Sequence, residues 1–177
     1  MKKLIISLLL VFTAFTGFCQ KYAYINSEYI LSNMPEYKEA QAELDRLAVV
    51  WQKEIEAKFA SIDSMYKKYQ VESITMPEQI KKNRENAIIA EEKAAKDLQK
   101  KRFGQNGDLF KKREELVKPI QDRVISTIND YAKEKGYAFV FDAAGEMTII
   151  YADPKWDINE QILQKLGISV NNNIDED

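Results

Sequence analysis

The chain has 177 residues, of which 31% are charged and 45% hydrophobic, and its formal net charge is −2. It has no His, one Cys, six Gly and four Pro, which excludes His-based acid–base catalysis, His-ligated metal sites, an internal disulfide and a CxxC pair. Neither GxGxxG nor GxxxxGK[ST] occurs, so no nucleotide motif is present, and the abundance of charge with few breakers points to long, solvated helices.

Residues 1–20 read as a secretory signal peptide. Met1-Lys2-Lys3 is a basic start, and Leu4 to Phe15 is apolar apart from Ser7 and Thr13. Small and polar residues follow at Thr16 and Gly17. The apolar run is shorter than the roughly 20 residues that a membrane span needs. Cleavage after Cys19 puts Gly17 and Cys19 at the two positions a signal peptidase reads, and cleavage after Gln20 fits nearly as well. A soluble exported protein follows from either cut. Lipid attachment at Cys19, anchoring the chain in the envelope as a structural coiled-coil adaptor, is the alternative, although Phe18 is bulkier than the residue usual before a lipidated Cys.

From Lys21 onward the net charge is −4, with +3 over residues 51–115 and −6 over residues 134–177. Neither segment is extreme enough to argue for a nucleic-acid partner.

Four parts follow along the mature chain. Tyr22-Ala23-Tyr24-Ile25 is a short β-type run, and Asn26 or Ser27 caps a short helix from about Glu28 to Ser32. A long helix then starts at Pro35, with Asn33 as its expected cap, and meets no Pro or Gly before about Ser73. Its apolar stripe is Tyr37, Ala40, Leu44, Leu47, Trp51, Ile55, Phe59, Ile62, Tyr66 and Tyr69. The spacing is close to a heptad, with extra steps of four near Trp51 to Phe59 that mark a stutter. Some 40 residues give a rod of about 60 Å.

The segment 73–78 is expected to be the tip of a helical hairpin, with Thr75 and Glu78 at capping-box spacing and Pro77 in a first turn. The return helix should run from about Pro77 to Lys135, with a thinner stripe of Ile80, Ala87, Ala94, Leu98, Leu109, Leu116, Ile120, Val124, Ile128 and Tyr131. Phe103-Gly104-Gln105-Asn106-Gly107 is weak helix material, because each Gly costs about 1 kcal/mol relative to Ala. Pro119 removes a backbone donor and is expected to kink the helix. Gly136 ends it.

The period then changes. Tyr137 to Phe141 and Met147 to Tyr151 read as two strands around the loop Asp142 to Glu146. Asp157 and Glu160 have a second capping-box spacing and open a helix from Ile158 to Leu166, closed by Gly167. The tail from Asn171 to Asp177 is polar.

The fold class expected is α+β and mostly α. A helical-hairpin arm, residues 35–116, projects from a β-rich body made of residues 21–34 and 117–177. Such a body is small for independent stability, so it should be buried against copies of itself.

The order of these pieces resembles the Skp/OmpH family of periplasmic chaperones. The residues carrying the resemblance are Tyr24-Ile25-Asn26, Tyr29-Ile30-Leu31 and Pro35-Glu36-Tyr37 near the start. Near the end they are Val117-Lys118-Pro119-Ile120, Val124, Ile128, Gly136-Tyr137, Val140-Phe141-Asp142, Ile149-Ile150-Tyr151, Asp157-Ile158 and Leu163. The resemblance implies a homotrimer shaped like a jellyfish, which holds unfolded outer-membrane proteins between its arms without ATP. This chain is acidic overall, where the best-known members are strongly basic. With arms that are only slightly basic, a weak membrane-surface contact is the most that is expected.

Such a holdase needs broad apolar contact and hinges, and no catalytic residue, cofactor or metal. The arm aromatics that suit contact are Trp51, Phe59, Tyr66, Tyr69, Phe103 and Phe110. The competing reading packs Trp51, Phe59, Tyr66 and Tyr69 within the hairpin, since all four lie on the stripe. Lys100, Lys101 and Arg102 belong to a basic section that either attracts acidic clients or is simply a solvated face. Gly104 and Gly107 are the candidate bending point and Pro119 a candidate kink. Asp142, Asp153 and Asp157 are read as caps and turns.

Overall fold

The structure, a computed structural model, describes residues 20–145 and 149–169. The signal segment with Cys19, the first half of the expected second hairpin strand (Met147 and Thr148) and the tail beyond Ser169 lie outside the described residues.

Helices dominate. In chain order the elements are β1 (Lys21–Ile25), α1 (Ser27–Ser32), α2 (Pro35–Glu72), α3 (Glu78–Phe103), α4 (Asp108–Lys135), β2 (Tyr137–Asp142), a 3-10 turn (Pro154–Trp156) and α5 (Asn159–Lys165). They divide into two compact units, one holding residues up to Leu31 and from Val124 onward, the other Ser32–Arg123.

In the first unit β1 and β2 pair in parallel, with Tyr22 opposite Phe139, Ala23 opposite Val140 and Tyr24 opposite Phe141. The β-hairpin expected from Tyr137 to Tyr151 is not what the structure shows. β2 takes β1 as its partner, and Ile149, Ile150 and Tyr151 form no strand. A strand needs a neighbour to accept its ladder bonds. Without one, Ile150 is 95% exposed and Tyr151 81% exposed.

Alternation along β1 sends Ala23 and Ile25 inward, where Ile30, Leu31, Val124, Ile158, Ile162 and Leu163 are also buried. The end of β1 is held by specific polar bonds. Asn26 Oδ1 accepts from the Tyr29 N–H at 2.9 Å and caps α1. The Asn26 N–H donates to Asn159 Oδ1 at 2.7 Å, and the Ile158 N–H donates to the Tyr24 carbonyl at 3.1 Å. Among the described residues of this unit Asn159 is the buried polar one, and its amide also donates to Asp157 Oδ2 at 3.1 Å. The helix α5 opens one residue later than expected. Asp157 still serves its start, accepting from the Asn159 N–H at 2.8 Å. Gly136 and Gly167 both have positive φ, 70° and 79°, as helix-ending glycines should.

In the second unit α2 and α3 run antiparallel. Ile62 on α2 packs with Ile88 and Ala95 on α3, joined by Met65 and Tyr69. A second cluster joins Ala40 and Leu44 of α2 to Val117 of α4, with Tyr37, Leu109, Leu116 and Ile120 against it. Four sequence expectations need correction here. The buried α3 positions are Ile88 and Ala95, while Ala87 and Ala94 are exposed. Burying Ile88 removes more apolar surface than burying Ala87, so the heptad slides by one. The return path is two helices, broken at 104–107. No side chain caps α2, whose N-cap is Met34 and not Asn33. Nor does Thr75 form a capping box. Its hydroxyl donates to the Glu72 carbonyl at 3.3 Å, finishing α2, and α3 has Pro77 as its N-cap with no side-chain cap bond.

Candidate functional site

The candidate residues fall on the second unit, and the structure sorts them by exposure. Trp51 and Tyr69 are half-buried in the helical pair. Phe59 is 38% exposed and Tyr66 39% exposed. Phe59 was expected on the stripe, but burial passes from Ile55 to Ile62 with Lys58 half-buried between them. The stutter is thus resolved by leaving Phe59 outside. Phe103 and Phe110, on either side of the helix break, are also exposed.

Polar bonds tie the two tyrosines across the pair. The Tyr66 hydroxyl donates to Glu92 Oε1 at 3.1 Å, and the Tyr69 hydroxyl donates to Glu85. The Glu85 bond, with burial second, pushes the Tyr69 hydroxyl up to about 12. Tyr66 is raised for the same reasons by Glu92. These rings present a carbon face with the hydroxyl already engaged.

Lys100 and Lys101 are exposed and make no ion pair among the described residues. Arg102 is different. Its guanidinium donates to Asp108 Oδ2 at 2.8 Å and to Glu54 Oε2 at 3.2 Å. It also lies 4.8 Å from the centre of the Trp51 ring. The Trp51 ring in turn meets Phe103 edge-on, with centroids 6.4 Å apart. Arg102 is therefore a joint of the helical unit, and Lys100 and Lys101 are its free cations beside the break.

The glycines of the break are required by space. A Cβ on Gly104 would lie 2.4 Å from the Lys100 carbonyl oxygen, and one on Gly107 would lie 2.8 Å from that of Lys101. The left-handed residue is Asn106, with φ 59°, a conformation Asn tolerates better than most. Pro119 lies inside α4, which continues through it.

Sequence reasoning missed several exposed apolar residues. On α2 they are Val49, Val50 and Val71; Ile74 follows, 86% exposed, and α3 adds Ile89. The signal was present: each lies off the heptad stripe, where an apolar side chain has no partner within the pair. Val49 and Phe103 line an open groove with Ala48, Gln52, Lys53 and Glu56.

The first unit carries an apolar face of its own. Tyr22 stacks on Phe139 at 5.9 Å, and Phe139 on Phe141 at 6.2 Å. Tyr22, Tyr24 and Phe141 further line a hollow with Ile149, Tyr151 and Trp156. Tyr24 is raised above the usual phenol range by burial, then by Asp157 and Asp153.

Among the described residues no group of three or more His, Cys, Asp or Glu is placed to hold a metal. No described helix is long and apolar enough to cross a membrane. The arrangement offers apolar contact area with scattered charge.

The model of the OmpH-like outer membrane protein family matches residues 21–166. The chain belongs to this family. No curated protein matches it. Among solved structures, it is similar to a candidate outer membrane chaperone (OmpH-like) from Caulobacter crescentus CB15. That match has a TM-score of 0.68 and 12% identity, and covers 85% of each chain. Identity so low speaks for a shared OmpH-like fold. The family match also carries the terminal motifs of the sequence, from Tyr24-Ile25-Asn26 to Leu163, into one recognised unit.

Proposed function

We propose that this OmpH-like chain is an ATP-independent holdase chaperone of the periplasm, which binds unfolded outer-membrane proteins and prevents their aggregation. The observation that carries this reading is the apolar surface of the helical unit. Phe59, Val71, Ile89, Phe103 and Phe110 are all exposed on helices, and Ile74 in the turn after α2, while the core clusters of the unit form without them. Each apolar contact contributes about 25 cal/mol per Å² removed from water. Several weak contacts of this kind suit a client with no fixed shape. Family membership and the named chaperone neighbour agree with it.

The functional form proposed is a homotrimer. Three copies join through the β-bearing units, covering the Tyr22–Phe139–Phe141 face, and enclose the client between their helical units. The signal segment 1–20 is removed on export, and contact with membrane surfaces is weak.

The test is direct. Purified mature protein should suppress aggregation of a urea-diluted outer-membrane β-barrel protein, without nucleotide, at about one trimer per client. No suppression at tenfold excess would sink the reading. Mass analysis of the mature N-terminus should give a start at Gln20 or Lys21. A lipid mass on Cys19 would replace the soluble form with an anchored one.

A further inference from the structure

The helical unit contains one polar joint that neither core explains. Arg102 lies in the last turn of α3, Glu54 lies on α2 and Asp108 opens α4, so the two ion pairs of Arg102 tie three helices at the break. The Arg102 side chain is only 23% exposed, and its Nε is buried without a hydrogen-bond partner among the described residues. An arrangement that leaves a buried donor unpaired is not the choice of a purely stabilising ion pair. Beside it, Gly104 and Gly107 are wound so tightly that no Cβ fits, and Asn106 sits in the left-handed region.

We propose that Arg102 is an ionic latch that holds the 104–107 break closed against α2, and that releasing it turns the break into a hinge. The two arms of the latch differ. Asp108 is 25% exposed and Glu54 43% exposed. Solvent and salt screen the exposed arm more, so the Glu54 arm opens first. Opening it frees the α3–α4 junction from α2 while Arg102 stays with Asp108. The same step lifts the guanidinium from Trp51 and lets its ring reach solvent beside Phe103. Lys cannot replace Arg here, because a single ammonium has no planar fork to bridge two carboxylates and stack on a ring. The latch belongs to the helical unit and stands whether or not the chain holds clients.

The chain has two Trp, so Trp156→Phe leaves Trp51 as a native reporter in the full mature protein. Its fluorescence quenching by acrylamide is read at 0.1 M and 1 M NaCl, together with amide exchange over residues 100–112. In this background Arg102→Gln should raise the quenching constant about twofold and speed exchange at 103–108 about tenfold, as local opening does. Residues 85–97 should exchange as before. Glu54→Gln should give an intermediate effect at 0.1 M NaCl. Raising salt should loosen the parent and do nothing more to Arg102→Gln. Arg102→Lys should behave like Arg102→Gln.

Unchanged quenching and exchange in Arg102→Gln would overturn the latch. So would a salt response that persists in that variant, or faster exchange spread equally over the whole helical unit. If Arg102→Gln fails to fold, Glu54→Gln decides, because the Glu54 side chain is 43% exposed and its replacement leaves Arg102 with Asp108: no local loosening in that variant also overturns the proposal.

Discussion

The carboxylate of Asp142, at the end of β2, accepts a hydrogen bond from the backbone N–H of Ser27, 115 positions earlier, at 3.0 Å. The same oxygen accepts from the Ala144 N–H at 3.0 Å. One side chain thus ties the start of α1 to the end of β2 and closes the turn that follows. Asp142→Ala should cost about 1–2 kcal/mol in urea denaturation, the range for losing a helix-start acceptor. Asp142→Asn keeps one acceptor oxygen and should cost less.

The pH dependence follows from the same group. Burial acts to raise the Asp142 carboxyl, but the Ser27 hydroxyl and N–H and the Ala144 N–H outweigh it and hold it below 3.8. A depressed carboxylate stabilises the fold fully above its unfolded value of 3.8 and loses that contribution as pH falls through the lower folded value. The stability gap between the natural chain and Asp142→Asn should therefore be constant near neutrality and shrink below about pH 4. Glu134 acts in the same sense. Lys165, then Lys135, lowers it to about 2, so its contribution fades from pH 4.5 downward. The pair is exposed, and its share is small. A gap that widened on acidification would contradict the Asp142 assignment.

The position of the buried heptad on α3 can be tested by paired substitutions. Ala95 is 0% exposed and Ile88 3% exposed. Ile88→Ala should cost about 2–4 kcal/mol, and Ala95→Leu about 1–3 kcal/mol by overpacking. Ala87→Leu and Ala94→Leu, one residue away, should stay within about 0.5 kcal/mol of the natural chain. Thermal melts of the four variants would decide; equal costs for Ala94→Leu and Ala95→Leu would reject the geometry.

The long helix α2 and the weak helix material at 103–107 were legible because their signals are local, although the return path was expected as one helix. A Pro at a first turn, an unbroken apolar period and a Gly pair need no partner to be read. The register of α3 was not legible, since Ile80-Ala87-Ala94 and Lys81-Ile88-Ala95 are both heptads, and only the match to Ile62 on α2 selects between them. The partner of β2 was hidden for the same reason. Five loop residues after Phe141 look like a hairpin turn, whereas the pairing realised joins residues more than a hundred positions apart. Arg102 read as one cation in a basic run. Its role depends on Glu54 and Asp108, which the sequence scatters.

The aromatic face of the first unit gives a prediction about assembly. Phe139 is 56% exposed and Tyr22 45% exposed, although they stack on each other. Under the proposed trimer this face is covered, so Phe139→Asp should shift light scattering at micromolar concentration from trimer to monomer. An unchanged mass would remove this face from the interface.

The exposed apolar residues of the helical unit should matter for holding and hardly for folding. Phe110→Ser and Ile74→Ser should each leave the melting temperature within a few degrees, as surface changes of about 0.5 kcal/mol do. Together they should weaken aggregation suppression several-fold. Tyr69→Phe, which loses only the bond to Glu85, should leave suppression unchanged.

The parallel pairing of β1 and β2 imposes an order on synthesis. β1 is among the first segments of the mature chain to appear and waits for β2. At about 5–20 residues per second that wait is on the order of ten seconds. Meanwhile α2 and α3, whose contacts are close in sequence, have time to zip together. The helical unit is therefore finished while Tyr22 and Ile25 are still unpartnered, and a nascent chain cut short between Arg123 and Tyr137 would carry a complete helical unit beside an orphan strand.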